Sequence, residues 1–216
     1  MRKQKMTSRE LRQWFFTPLF ILVIALGWKY PYLGYMAPVT MAAGFAVSFF
    51  KGRYICGNYC PRGAFFDRLM SRLTLSRPIP KFLKKKSFRY GVVVFMLSLM
   101  TYKIAINPFD AKYIGLVFWQ MCFATSLLGV TLAVLYKPRT WCSFCPMGTI
   151  EAAIGGNKQP IVSQKGVCKS CGLCEKRCPM ELEIVNKVED GTIANPDCIK
   201  CGECIGSCPI KTLRRK

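Results

Sequence analysis

Eight cysteines near the C-terminus have the spacing of a redox centre. Cys168, Cys171, Cys174 and Cys178 precede Pro179, and Cys198, Cys201, Cys204 and Cys208 precede Pro209. Each group reads C-x2-C-x2-C-x3-C-P. Three thiolates from one short loop can reach three irons of a cubane, and the fourth cysteine of such a run ligates the other cluster. This assigns one [4Fe–4S] cluster to Cys168, Cys171, Cys174 and Cys208, and a second to Cys198, Cys201, Cys204 and Cys178. Paired C-x2-C elements also make zinc ribbons, with four ligands per ion. The duplicated eight-cysteine run ending in Cys-Pro fits cubanes better.

A second group is spread along the apolar part of the chain. Cys56-Gly-Asn-Tyr-Cys60-Pro61-Arg-Gly63 and Cys142-Ser-Phe-Cys145-Pro146-Met-Gly148 form a weak internal repeat. Their four thiols could bind a third iron–sulfur cluster, act as two redox dithiols, or serve as small apolar packing residues. Cys122, alone in an apolar stretch, reads as packing. The chain has no histidine, which removes the usual haem ligand and any Ser-His-Asp hydrolase. No Walker or Rossmann pattern is present. Redox chemistry here therefore runs on sulfur ligands or on a partner's cofactor, and no haem is expected.

The elements that carry these cysteines are apolar and strongly basic. Hydrophobic residues make up 51% of the 216 residues and the formal charge is +21; mean hydropathy is +0.21. Four apolar stretches, about Trp14–Tyr30, Pro31–Phe50, Tyr90–Ile106 and Tyr113–Tyr136, approach the ~20 residues that cross a bilayer. Arg2, Lys3, Lys5, Arg9 and Arg12 precede the first, and eleven Lys and Arg follow the second, whereas the opposite loops hold only Lys29, Lys103 and Lys112. The positive-inside rule then puts both termini and the tail in the cytoplasm of a prokaryotic inner membrane. The charges flank apolar segments instead of forming one stripe, which argues for membrane lipid and against nucleic acid as the partner.

Residues 62–75 read as an interfacial helix with Phe65, Phe66, Leu69, Met70 and Leu73 on one face. The basic run after it suits anionic headgroups or a solvated loop. Seven of the eleven acidic residues lie in the tail: Glu175, Glu181, Glu183, Glu189, Asp190, Asp197 and Glu203. With Gly155, Gly156 and Pro160, this shift divides the chain into 1–159 and 160–216. The expected fold is an α-helical membrane domain, four transmembrane helices in two hairpins, followed by a small α+β ferredoxin-like domain. Val167, Ile184, Val185, Ile193, Ile199 and Ile210 are its expected core, and Gly172, Gly202 and Gly206 its tight loops.

The eight-cysteine tail resembles bacterial ferredoxins. Four spans, the ICGNYCPRG and WCSFCPMG motifs, and two ferredoxin runs in that order resemble the NapH-type membrane iron–sulfur proteins, whose larger relatives include the NosR regulators and CcoG polyferredoxins. The second motif has two residues between its cysteines where three are usual. The resemblance implies an electron-transfer subunit of a larger oxidoreductase complex, passing electrons between quinol or a cytoplasmic donor and partner redox proteins. It also implies one alternative, a CcoG-like copper reductase or maturation factor; the small size and the lack of substrate-pocket residues suit a further one, a redox-sensing membrane anchor without turnover of its own.

Overall fold

A computed structural model describes residues 8–156, 158–164, 167–188 and 191–215. Arg2, Lys3 and Lys5 of the basic arm, and Glu189 and Asp190 of the acidic tail, lie outside them.

Helix α1 (Ser8–Leu26) is followed by a 3-10 turn at Pro31–Tyr35 and by α2 (Met36–Lys51). Two short helices, α3 (Tyr54–Asn58) and α4 (Pro61–Arg68), carry the first cysteine motif. Helices α5 (Lys86–Ile106) and α6 (Ala111–Leu135) form the next hairpin, and α7 (Pro146–Gly155) follows the second motif. The Asp110 carboxylate caps α6 by accepting from the Lys112 N–H at 2.9 Å.

Among the described residues, three helical stretches are long and apolar enough to cross a membrane: Pro31–Lys51, Lys86–Ile106 and Ala111–Leu135. Large apolar side chains on them, such as Phe50, Val94 and Leu127, stay exposed, as surfaces meant for hydrocarbon do. Helix α1, the expected first span, is different. Its buried stripe begins with Arg9, Gln13 and Thr17: Arg9 and Gln13 donate to Asp67 of α4, against which α1 packs, and Thr17 donates back to the Gln13 carbonyl. Only its later turns are apolar.

Two further expectations need correction. Residues 62–75 do not form an interfacial helix. Phe66 is fully buried in a cluster with Met70, Ile79, Leu83, Ala133, Trp141 and Phe144. Arg62 donates to Thr125 and lies over the Trp141 ring, while Arg68 donates to Glu10 and Gln13. Arg62 and Arg68 are used for protein contacts and the helix ends at Arg68, while Arg72 and Leu73 beyond it stay exposed. The following basic segment also meets protein: Lys84 and Lys137 both pair with Glu181 of the tail.

The tail holds a three-stranded antiparallel sheet in the order β2-β1-β3, from β1 (Ile161–Ser163), β2 (Thr192–Ile193) and β3 (Leu213–Arg215). Single-turn helices α8 (Leu173–Lys176) and α9 (Glu203–Gly206) follow the paired cysteine loops. The cysteine spacing, the short helix and the backbone turns of one run recur thirty residues on. Left-handed backbone occurs at Ser170 and Lys200, at Gly172 and Gly202, and at Glu181 and Lys211. Such turns aim successive N–H groups into one concavity, an arrangement suited to sulfide and thiolate. Ile161, Ile184, Val188, Ile193, Cys204 and Leu213 form the core, and Cys168, Cys174, Cys178, Cys198 and Cys208 pack against it. Ile199 is buried, but Val167 and Ile210, expected in the core, are 47% and 37% exposed.

Candidate iron–sulfur centres

In the tail, Cys178, Cys198, Cys201 and Cys204 line one small apolar cavity together with Pro179, Met180 and Ile199. These are the residues that the interleaved assignment groups into one set. Among the described residues, no three Cys, Asp, Glu or His side chains converge tightly enough for one metal ion. Four thiols around one apolar cavity are the donor set that a cubane takes, one at each iron corner. Burial, reinforced by the neighbouring thiols, pushes Cys204 up to about 12; burial, despite the pull of Arg9, pushes Cys201 up to about 11. Without iron these sulfurs stay protonated at neutral pH, and ligation must release their protons. Cys208 goes the other way. Slight burial is outweighed by hydrogen bonds from the Thr212 side chain and the N–H groups of Thr212, Ile210 and Leu213, which hold it below the ordinary thiol value.

The four cysteines of the apolar part also come together. Cys56, Cys60, Cys142 and Cys145 line a cavity of about 230 Å³. In both motifs the second cysteine is the N-cap of a helix whose first residue is the following proline: Cys60 for α4 and Cys145 for α7. Proline suits that position because its missing N–H would be unpaired anyway. The helix ends direct partial positive charge at the two sulfurs.

Two arginines complete this group, and their arrangement is an exchange between repeats. Arg53 stands three residues before Cys56, and Arg139 three before Cys142. Both are buried. Arg139 of the second repeat donates to the Cys56 carbonyl at 2.9 Å and approaches the Cys142 sulfur at 3.7 Å. Arg53 of the first donates to the Cys142 carbonyl at 2.7 Å. The glycines after each Cys-Pro make room for them: a side chain at Gly63 would collide with the Arg139 guanidinium, and one at Gly148 with that of Arg53. Sequence reasoning noted the glycines and missed the arginines. The equal Arg-x-x-Cys spacing was the available signal.

Asp67 anchors one of these arginines. Its carboxylate accepts two bonds from Arg139, both 2.7 Å, and others from Arg9 at 2.6 Å and Gln13 at 2.7 Å. Burial alone would raise its pKa, but the two guanidiniums outweigh burial and hold it below the usual carboxylate range. Arg53 keeps its Nε, and Ser143 its hydroxyl, buried without a protein partner. Donors left over beside four thiols, with buried cations and two helix N-termini, fit a sulfur-rich anionic group there. Burial first, then the like charge of Cys142, pushes Cys60 up to about 11 against the pull of the Gly63 N–H and Arg139. The Cys56 thiol donates to Glu151 at 3.0 Å. Cys122, read as packing, lines the same cavity, as do Met36, Met41, Met96, Met100, Met121 and Met147.

The two centres touch. Gly57, between Cys56 and Cys60, lies so close to the Ile199 carbonyl that a side chain there could not fit. Asn58 donates to the Lys200 carbonyl at 3.4 Å. Arg53 and Arg89 both pair with Asp197, and Arg9 pairs with Glu203. The Cys198 loop is thus seated on the Cys56–Cys60 loop.

Comparison with known proteins agrees with this chemistry. A family model described as a 4Fe-4S binding domain matches residues 33–86 and 117–162, the segments that hold Cys56, Cys60, Cys142 and Cys145. A 4Fe-4S dicluster domain matches 167–213. Two uncharacterized proteins of Methanocaldococcus jannaschii are 28% and 27% identical, over 75% and 79% of this chain and 71% and 67% of theirs. The methylamine utilization ferredoxin-type protein MauN of Methylobacillus flagellatus is 27% identical over 65% of this chain and 52% of its own length. No solved structure matches significantly. The chain carries 4Fe–4S domains of ferredoxin type and is a distant homologue of MauN.

Proposed function

We propose that this chain is a membrane-bound electron-transfer subunit that passes electrons between quinol, or a cytoplasmic donor, and a partner oxidoreductase. Helix α1 joins the three long apolar helices as a fourth span, both termini face the cytoplasm, and residues 160–216 form the ferredoxin-like domain. Cys168, Cys171, Cys174 and Cys208 hold one [4Fe–4S] cluster, and Cys198, Cys201, Cys204 and Cys178 the other. Cys56, Cys60, Cys142 and Cys145 hold a third iron–sulfur group. The observation that carries this reading is the contact of Gly57 with Ile199, each the immediate neighbour of a ligand.

Bound iron–sulfur groups supply one-electron transfer without making or breaking bonds. The protein's own residues do the rest. Arg53 and Arg139 offset the negative charge of four thiolates, and their burial keeps that compensation unscreened by salt. The N-termini of α4 and α7 add to it. The cavity beside the four sulfurs has mostly apolar walls and few polar groups, which suits a lipid-soluble ring better than a charged substrate.

Anaerobic purification with iron and sulfide analysis tests the reading first. Two cubanes alone would give roughly eight irons, and a third group ten to twelve. A quinol analogue should then reduce the cluster signals. Failure of every quinol and of every low-potential carrier to reduce them would sink the electron-transfer reading.

One observation favours a second reading. Six methionines and Cys122 share the cavity with the four cysteines, and thioether and thiolate together prefer Cu(I). On this reading, as a copper reductase, the double variant Cys56→Ala/Cys60→Ala loses copper reduction and keeps the tail's spectrum. Retention of copper reduction in that variant excludes it.

A further inference from the structure

The tail's two cysteine runs are near copies, yet their surroundings are opposite. In the second run, the residues between the cysteines are covered: Ile199 is 1% exposed and Lys200 is buried beside it, against the loop of Cys56 and Cys60. At the equivalent places in the first run, Lys169 and Ser170 are exposed, and Cys171 is the one exposed cysteine among those described. The pattern continues around each ligand set. Met180, after Cys178-Pro179, is buried at 3%. Its counterpart Ile210, after Cys208-Pro209, is open, and so are Val167 and Leu173.

The open segments expose apolar and basic side chains together. Val167, Leu173 and Ile210 are exposed large hydrophobics. Lys169, Lys176, Arg177 and Lys211 are exposed in the same two segments. The one acidic side chain within the first run, Glu175, is occupied: it accepts from the N–H groups of Ile184 at 2.7 Å and Val185 at 2.8 Å. Exposed apolar side chains interspersed with exposed charges of one sign suit a transient protein interface that attracts a partner of opposite charge. A second copy of this chain, docking face to face, would set lysine against lysine and be repelled.

We propose that the face built by Val167, Leu173 and Ile210, with Lys169, Lys176 and Arg177, is the docking surface for an acidic, soluble one-electron carrier. The Cys168 run is the port to the outside, and the Cys198 run is the inward relay. This deepens the electron-transfer reading and rests on it. One electron leaves the carrier as one enters the group held by Cys168, Cys171, Cys174 and Cys208, or the reverse, with no bond formed or broken.

The test uses the full chain in nanodiscs of zwitterionic lipid and, as probe, oxidised plant-type [2Fe–2S] ferredoxin, a small acidic carrier. Binding is followed by biolayer interferometry across ionic strength. The wild type should bind at low salt and weaken as salt screens the rim. The triple variant Lys169→Glu/Lys176→Glu/Arg177→Glu should bind at least about tenfold more weakly at low salt, within the range of electrostatic effects on association. The control Lys103→Glu/Lys112→Glu should change nothing. Equal binding by wild type and triple variant, or no binding by the wild type, overturns the proposal. Hydrogen exchange gives a further arm. Protection of residues 167–177 in a second disc preparation containing anionic lipid, and not by ferredoxin in the zwitterionic disc, would assign the face to lipid and overturn it as well. Iron and sulfide analysis of the same samples separates the two levels: iron-free protein sinks the iron–sulfur reading and this proposal with it, whereas iron-loaded protein that does not bind the carrier sinks this proposal alone.

Discussion

The chain gathers sulfur in two ways. In the tail, three ligands of each set come from one short cysteine run of eleven residues, shaped by left-handed turns at fixed positions, and the fourth comes from the other run. In the helical part, four cysteines from motifs more than eighty residues apart meet between helix ends. Their charge is met by arginines that each cross into the other motif. The first design is local, and spacing alone describes it. The second is a product of tertiary packing, and its critical residues are not the cysteines only.

That contrast can be broken at its polar centre. Asp67→Asn leaves Arg139 buried without its anion and Arg9 with Glu203 alone, and loss of one partner of a buried pair costs about 3–5 kcal/mol. We expect a large fall in the stability of the helical part, followed by tryptophan fluorescence during denaturation in detergent, with the tail's absorption retained. A change below about 1 kcal/mol would mean that the pair is not structural. Linkage runs in the same direction. Because the folded-state pKa of Asp67 is depressed, its stabilisation is complete above the unfolded value near 4 and is lost as pH falls through the folded value. The wild type should therefore lose more stability than Asp67→Asn between pH 5 and acid, on the order of the pair's own contribution.

A narrower cut separates the two centres. Gly63→Val or Gly148→Val pushes an arginine out of place by overpacking, typically at about 1–3 kcal/mol. Iron beyond the tail's roughly eight atoms should disappear in either variant, while the tail's share remains. Full retention of the extra iron would show that the arginines do not support the four-cysteine group.

Thiol titration sharpens the difference further. In iron-free protein, alkylation follows the thiolate, whose fraction rises with pH through each pKa. Cys60 should reach half its maximal rate near pH 11 and Cys208 below the ordinary thiol value. At pH 8 Cys60 should therefore label far more slowly than Cys208, readable by mass spectrometry of labelled peptides. Equal rates would contradict the two environments. The smallest effect is expected at the seam. Asp197→Asn removes the carboxylate that pairs with the buried Arg53 and Arg89, but Asp197 is itself partly exposed, so the loss should fall below the ~3–5 kcal/mol of a fully buried pair and should speed limited proteolysis between residues 156 and 167.

What could be read from the sequence follows the same division. The eight tail cysteines, their interleaving and the apolar helices are periodic or regularly spaced, so the chain order exposes them. Val167 and Ile210 were expected in the core because an apolar residue in a small domain usually packs inside; nothing in the order says which copy of a duplicated loop is left open. Residues 62–75 have the alternation of an interfacial helix, yet Phe66 fills the protein's own core, since apolar periodicity cannot distinguish lipid from a neighbouring helix. The pairing of Arg139 with Asp67 and Gly63, and of Arg53 with Gly148, spans most of the helical part. It becomes visible only when the two motifs lie side by side.

The crossed arginines also bear on how the chain could be divided. Phe109, in the turn between α5 and α6, is fully exposed, an obvious place to open the backbone. Each resulting fragment would keep two of the four cysteines but would lack the cation that belongs beside its own glycine. Neither fragment could serve as a reduced version of the parent. Only co-expression would restore the group, and complementation between fragments would then be all-or-none.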